Sequence, residues 1–254
     1  MTQPKTILIT GASAGIGKAT AELLAKEKGT RLILTARRAE KLKELAAALP
    51  CETHLLTFDI RDRAATIEAL KTLPTAWQAV DVLVNNAGLA LGLESFDAAN
   101  PDDWQVMIET NILGLLTLTR EILPAMKARG RGHIVNLSSI AGTYHYPGAH
   151  VYGASKAFIT YLSLAMRSDL LGTPIRVTNI EPGMVDTEEF SLTRFKGEQQ
   201  RAAAVYEGAE PLHAEDIAET IRWAIAQPAH VNINRIELMA TCQAPGGPKV
   251  HRES

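Results

Sequence analysis

Lys5-Thr-Ile-Leu-Ile-Thr-Gly-Ala-Ser-Ala-Gly-Ile-Gly17 decides the fold. Its first six residues are a short apolar run of the kind buried in a parallel sheet. A glycine-rich turn follows, and residues 18–28 then read as a helix that Gly29 stops. The glycines let the backbone turn tightly and approach a pyrophosphate. The helix N-terminus offers unpaired N–H groups and a partial positive charge. The spacing is Gly-x-x-x-Gly-x-Gly, not the Gly-x-Gly-x-x-Gly of the commoner dinucleotide fingerprint. Alone, such a turn is more often only a turn. With a strand before it and a helix after it, a cofactor cradle is favoured, formed by Gly11, Ser13, Ala14, Gly15, Ile16 and Gly17.

The next strand, residues 31–36, ends in Arg37-Arg38. An NAD site places a carboxylate near this point to hold the ribose 2′-hydroxyl. Two guanidinium groups suit a dianionic 2′-phosphate instead, so NADP is the expected cofactor. A helix over 39–49 and a strand over 53–58 lead to Asp59-Ile60. Asp59 is read evenly as a partner for the adenine amino group or as a helix N-cap, a role for which Asp62 competes. A helix over 63–73 precedes a strand over 81–84, which ends in Asn85-Asn86-Ala87-Gly88. The two amides can bond backbone groups and shape the cofactor pocket. This alternation predicts an α/β Rossmann-type doubly wound parallel sheet of about seven strands, with helices on both faces. Ligands would lie at the carboxyl ends of the strands.

Composition agrees with that class. The chain has 254 residues, 46% apolar and 21% charged, with a formal net charge of −2. Nothing there points to nucleic acid or an anionic membrane as a partner. Two cysteines, Cys51 and Cys242, form no cluster, and the seven histidines have no ligand spacing, so no metal is expected. The apolar runs are too short to span a bilayer, and a strand-like run begins by Thr6, so the expected location is cytoplasmic. No repeat or linker composition divides residues 1–254, and one dinucleotide-binding catalytic domain is expected. Asn136-Leu-Ser138 matches a glycosylation sequon, but an apolar strand is the simpler reading.

The second half carries the polar residues that suggest chemistry. A long helix from Asn100 to about Arg129 is interrupted by Asn111 in an apolar stretch. Asn111 reads equally as a core amide bonded to backbone or as one that opens the helix and holds a water linked to Lys156. A strand over 132–139 ends at Ser139, thirteen residues before Tyr152. Tyr152-Gly-Ala-Ser-Lys156 opens a helix, and residues four apart share a face. A charge about 4 Å from a phenol, at an effective dielectric of about 20, lowers its pKa by up to roughly 3 units. Tyr152 would then exchange a proton with an alcohol or carbonyl near neutral pH. Taken alone, a chance Tyr and Lys on an amphipathic helix explains the pentapeptide better. Residues 174–180 form a further strand ending in Glu181-Pro-Gly183, residues 186–207 a polar flap, 214–226 a helix, 231–239 a closing strand and 241–254 an irregular tail.

Taken together, the chain resembles the short-chain dehydrogenase/reductase family. The residues that carry the likeness are Thr10-Gly-Ala-Ser-Ala-Gly-Ile-Gly17, Asn85-Asn-Ala-Gly88, Asn111, Ser139, Tyr152-Gly-Ala-Ser-Lys156 and Pro182-Gly183. Within it, the chain is most similar to NADP-dependent 3-hydroxy acid dehydrogenases, also described as L-allo-threonine or serine dehydrogenases. Asp81 to Gly92, Asn179-Ile-Glu-Pro-Gly183, Arg194-Phe-Lys-Gly197, Pro228 to Asn234 and Val250-His-Arg252 carry that closer likeness, whereas Thr143 to His150 departs from the pattern.

The resemblance implies roles. Tyr152 is the acid/base, Ser139 bonds the substrate oxygen, Lys156 lowers the tyrosine pKa and holds the nicotinamide ribose, and Asn111 anchors a relay water. It also implies cofactor contacts by Gly11, Ser13, Ala14, Gly15, Ile16, Gly17, Arg37, Arg38, Asp59, Ile60, Asn86, Ala87, Gly88, Tyr152, Lys156, Pro182, Gly183, Val185 and Thr187, and a homotetramer. The implied reaction is reversible hydride transfer between NADP and C3 of a small 3-hydroxy acid. Arg194 is the candidate for the substrate carboxylate, with Lys196 second; a solvated flap charge explains either equally well. Two other readings are a reductase for another carbonyl or secondary alcohol, and an NADP-binding sensor without chemistry. An intact Ser139, Tyr152 and Lys156 argues against the sensor.

Overall fold

The computed structural model describes residues 5–187 and 189–246. The Val250-His-Arg252 likeness and the end of the predicted tail lie outside them. Seven parallel strands form one sheet: β1 (Lys5–Thr10), β2 (Thr30–Ala36), β3 (Thr53–Thr57), β4 (Val82–Asn85), β5 (Gly132–Leu137), β6 (Ile175–Pro182) and β9 (Arg235–Leu238). Their spatial order is β3-β2-β1-β4-β5-β6-β9. The order reverses between β1 and β4, which creates the crevice where open α/β sheets bind ligands.

Period-two alternation sends neighbouring side chains of a strand into opposite layers. Ile7 and Ile9 of β1 join Leu32, Leu34, Val82, Val84 and Val135 on one face. Helices α1 (Gly15–Leu24), α2 (Ala39–Ala48) and α9 (Ala214–Ala226) cover it with Leu24, Leu42, Leu45, Ile217 and Ile221. Leu8, Ile33, Leu83, Ile134 and Val177 point the other way, beneath Leu118, Ile122 and Met126 of α5 (Leu115–Arg129). Helices α3 (Arg63–Lys71) and α6 (His150–Asp169) lie on this second side. Burial on both faces explains why these strands read as unbroken apolar runs.

Several expected boundaries move. Helix α1 ends at Leu24, not Lys28, because Lys26 and Glu27 bond back only three residues, to Leu23 and Leu24. The last strand begins at Arg235: Asn232 instead bonds the backbone of Val177 through its side chain, so the expected stretch from Val231 starts outside the ladder. The long helix is α4 (Pro101–Ile108) and α5 joined by a π-helical turn, Glu109–Gly114, with Asn111 in its middle. The polar segment after β6 holds two short helices, α7 (Phe190–Arg194) and α8 (Gln199–Ala204). A small sheet that the sequence did not suggest, β7 (Val185–Asp186) with β8 (Leu212–His213), closes its base.

Candidate active site

A cleft of about 600 Å³ opens along the carboxyl ends of the strands. Gly11, Ser13, Ala14, Gly15, Ile16, Arg37, Arg38, Asp59, Ile60, Asn86, Ala87, Gly88, Ser139, Tyr152, Lys156, Pro182, Gly183, Val185, Thr187 and Arg194 all line it. Two expected residues, Gly17 and Asn111, stand behind that lining. Gly17 packs its Cα against the carbonyl of Gly11 and the amide of Asn86. That leaves no room for a Cβ and shapes the loop from behind.

The cofactor end starts at the glycine loop. Gly11 and Gly15 take φ of +66° and +51°, a region that glycine adopts without steric cost. Ala14, the N-cap of α1, gives no side-chain cap, so the first N–H groups of the helix are left for a ligand. Asn86 donates its amide to the carbonyl of Thr10 at 2.9 Å, while its own N–H and that of Ala87 reach the Thr10 hydroxyl. The end of β4 is thereby fastened to the glycine loop. Asn85 does something else: it is buried in an amide and hydroxyl network with Thr119 and Asn136 and leaves the pocket to Asn86.

The charged residues sort themselves differently from expectation. Asp62, not Asp59, caps α3, accepting from the N–H of Ala65. Asp59 is held by the backbone and guanidinium of Arg61, which depress its pKa, and Arg37 lies 3.8 Å away. Arg38 reaches the hydroxyl of Ser13 at 2.8 Å and the carboxylate of Glu189 at 2.7 Å. Glu189 carried no sequence signal. Arg37, Arg38, Lys41 and Arg61 against Asp59 and Glu189 leave positive charge in excess beside Ser13. The glycine loop, the open helix terminus and this charge fit a dinucleotide that carries a further phosphate on its ribose.

Two glycines bring the polar residues together at the other end. After β5, Ser139 caps a turn of 3₁₀ helix, Ile140–Gly142. A Cβ on Gly142 would stand 2.7 Å from the backbone of Ala157, and one on Gly153 would stand 2.8 Å from the carbonyl of Ala141. Both contacts lie below van der Waals distance, so α6 approaches the turn only because these positions lack side chains. That approach sets Ser139 beside Tyr152. Lys156 is buried and donates to the carbonyl of Leu137 at 2.9 Å.

The Asn111 side chain accepts from the N–H of Leu89 and donates to that residue's carbonyl and to Ser155. The reading as a core amide bonded to backbone therefore describes the side chain, and the helix does open around it. A Cβ on Gly88 would lie 3.2 Å from both Asn111 Oδ1 and Lys156 Nζ, so the glycine keeps that gap clear.

Electrostatics corrects one expectation. Burial outweighs any lowering of the Tyr152 pKa by Lys156 in this state. Its ammonium lies 5.8 Å from the ring centroid and is spent on a carbonyl. Burial pushes the phenol up to about 12, with Tyr146 adding to the rise; the Ser139 hydroxyl and the Arg194 charge oppose it. Burial brings Lys156 down to about 8. At neutral pH the pair is thus a phenol holding its proton and a lysine that remains mostly charged.

Arg194 of α7 stands beside these residues, its guanidinium carbon 5.5 Å from the Tyr152 ring and 5.6 Å from the Tyr146 ring. Its partners among the described residues are neutral: the carbonyl of Gly92 at 3.2 Å and the hydroxyl of Tyr146 at 3.0 Å. Lys196 points elsewhere, into an ion pair with Asp103, and does not line the cleft. Tyr146, Phe190 and Tyr206 line it without having been singled out in the sequence. Tyr146 lies in the stretch that departs from the 3-hydroxy acid dehydrogenase pattern, and that departure was the one available signal.

Comparison with known proteins identifies the family. A family model described as short chain dehydrogenase matches residues 5–196. A probable NADP-dependent dehydrogenase of Haemophilus influenzae is 55% identical over 98% of this chain and 98% of its own length. An NADP-dependent 3-hydroxy acid dehydrogenase of Salmonella typhi is 48% identical over 97% and 99%. A solved structure of the closed form of a serine dehydrogenase complexed with NADP+ superimposes with a TM-score of 0.95 at 46% identity, covering 98% of this chain and all of that one. The chain belongs to the short-chain dehydrogenase family.

Proposed function

We propose that this member of the short-chain dehydrogenase family is an NADP-dependent oxidoreductase that interconverts a small 3-hydroxy acid and the 3-oxo acid. The observation that carries the reading is the placement of Arg194, a cation with only neutral partners among the described residues, 5.5 Å from the ring of the buried Tyr152. The full-length likeness to a 3-hydroxy acid dehydrogenase and to a serine dehydrogenase supports the same substrate class. NADP, when bound, supplies the nicotinamide carbon that accepts or returns the C3 hydride.

The chain's own residues do the rest. Gly11 to Gly15, the N-terminus of α1, Arg37, Arg38 and Ser13 hold the phosphates. Lys156 would hold the nicotinamide ribose. Ser139 donates to the substrate oxygen, and the Tyr152 phenol gives that oxygen a proton during reduction. In the oxidative direction Tyr152 must first lose its own proton before it can take that one, and its raised pKa opposes that loss in this state. Arg194 pairs with the carboxylate and turns C3 toward the cofactor.

Two coarser features extend the proposal. A homotetramer is supported by the exposed apolar residues Ile108, Leu113, Phe158, Tyr161 and Leu164 around the π turn and α6. Among the described residues no helix is long and apolar enough to cross a membrane, which is compatible with the cytoplasm.

The test offers L-serine, L-allo-threonine and 3-hydroxypropionate beside a plain secondary alcohol, with NADP and then NAD. NADP-dependent turnover of the acids is expected. Arg194→Ala should raise KM for the acids by about ten- to a hundredfold, as loss of a charged hydrogen bond does, and leave the alcohol unchanged. Equal effects on both substrates would remove the carboxylate argument.

A further inference from the structure

Glu189 belongs to no motif, and its position is unusual. It immediately precedes α7, yet its carboxylate crosses the mouth of the cleft to side chains 148 and 151 residues earlier in the chain. Its two oxygens take the two Nη atoms of Arg38 at 2.7 Å each, and Lys41 Nζ reaches one of them at 2.6 Å. The same Arg38 continues to Ser13 on the glycine loop. Thr187, two residues earlier, would touch a Cβ on Gly15 at 3.4 Å. The start of the flap is thereby fastened to the phosphate end of the cleft.

The other end of α7 reaches the chemistry. Phe190 sits edge-on to Tyr152 with ring centroids 6.1 Å apart, and Arg194 stands on the same tyrosine. Five residues of helix are about 7 Å long, so a shift at Glu189 moves Arg194 by a comparable amount. Exposed ion pairs contribute little to global stability. Fixing a short helix is a different task, for which a forked Arg–carboxylate pair with a lysine beside it is well suited.

We propose that Glu189 is a positioning residue: it ties the flap helix to Arg38 and Lys41, the cations at the cofactor's phosphate end, and so sets where Arg194 meets the substrate. The inference rests on the reading of Arg194 as the carboxylate partner. It makes the position of the flap helix depend on the same cations that hold the cofactor.

Glu189→Gln keeps the shape and removes the charge. With NADP present, KM for the acid substrate is expected to rise roughly three- to tenfold, the loss of a small ion-pair network. At saturating NADP the KM for a plain alcohol should rise clearly less than that for the acid, and Tm should be unchanged. Trypsin supplies a readout that needs no turnover: cleavage after Arg194 or Lys196 should accelerate by a similar factor. Glu189→Asp, still charged but shorter, should recover part of both effects. Unchanged KM and unchanged cleavage would overturn the proposal, and so would an equal rise in KM for acid and alcohol. If the parent protein turns over no acid, the functional reading falls, while the cleavage rates still decide whether Glu189 holds the flap.

Discussion

Lys156 is held in the cleft at a cost, and that cost is measurable. Burial lowers its pKa from 10.5 to about 8, which corresponds to roughly 3 kcal/mol against the charged side chain. Methionine at this position keeps the length and the apolar stem without the charge. It loses the hydrogen bond to the Leu137 carbonyl, about 1.5–3 kcal/mol for a charged donor. The cofactor-free Lys156→Met protein should therefore be at least as stable as the parent at pH 7, by up to about 1.5 kcal/mol. The sign follows from the protonation states. Below pH 8 the lysine is charged in both folded and unfolded chains, and the full penalty acts on the folded one. Between about pH 8 and 10.5 the folded chain sheds the proton first, the unfolded chain binds more protons, and parent stability rises with pH. The mutant's advantage should shrink across that window. Urea unfolding of both proteins from pH 7 to 10, at equal protein concentration, reads this directly. A mutant less stable than the parent at pH 7, by an amount that does not change with pH, would refute the reasoning.

Further outcomes follow from the geometry. Arg37 lines the cleft with 62% of its side chain exposed and only a 3.8 Å contact to Asp59, so Arg37→Ala should raise KM for NADP about tenfold and spare NAD. Steady-state kinetics with each cofactor checks this. Gly142→Val would drive a side chain into the backbone of α6, lowering stability by roughly 1–3 kcal/mol and displacing Ser139 from Tyr152. Denaturant unfolding and residual turnover should fall together.

Much of this arrangement was legible in the sequence because the signals were local. The run from Lys5 to Gly17 gave strand and loop together, although the helix begins at Gly15 and not at Lys18, and Ala214–Ala226 was found to the residue because its capping and apolar period agree. What escaped depends on contacts between distant segments. Glu189 looks like any flap acid until Arg38 and Lys41 are brought opposite it. Asp59 and Asp62 are three residues apart, and only the backbone path decides which one caps α3 and which one meets Arg61. The expected effect of Lys156 on Tyr152 assumed an approach of about 4 Å from helical spacing. The Leu137 carbonyl draws the ammonium away, and burial then outweighs it.

The most direct test of the account is Tyr152→Phe, followed by cofactor binding and turnover measured on the same preparation. The substitution removes one hydroxyl and leaves the ring against Phe190 and Arg194. NADP binding should persist while turnover falls by roughly 10²–10⁴, the range for loss of a general acid. Turnover within a few-fold of the parent would mean that the proton comes from elsewhere and that the buried phenol is not the acid of this site.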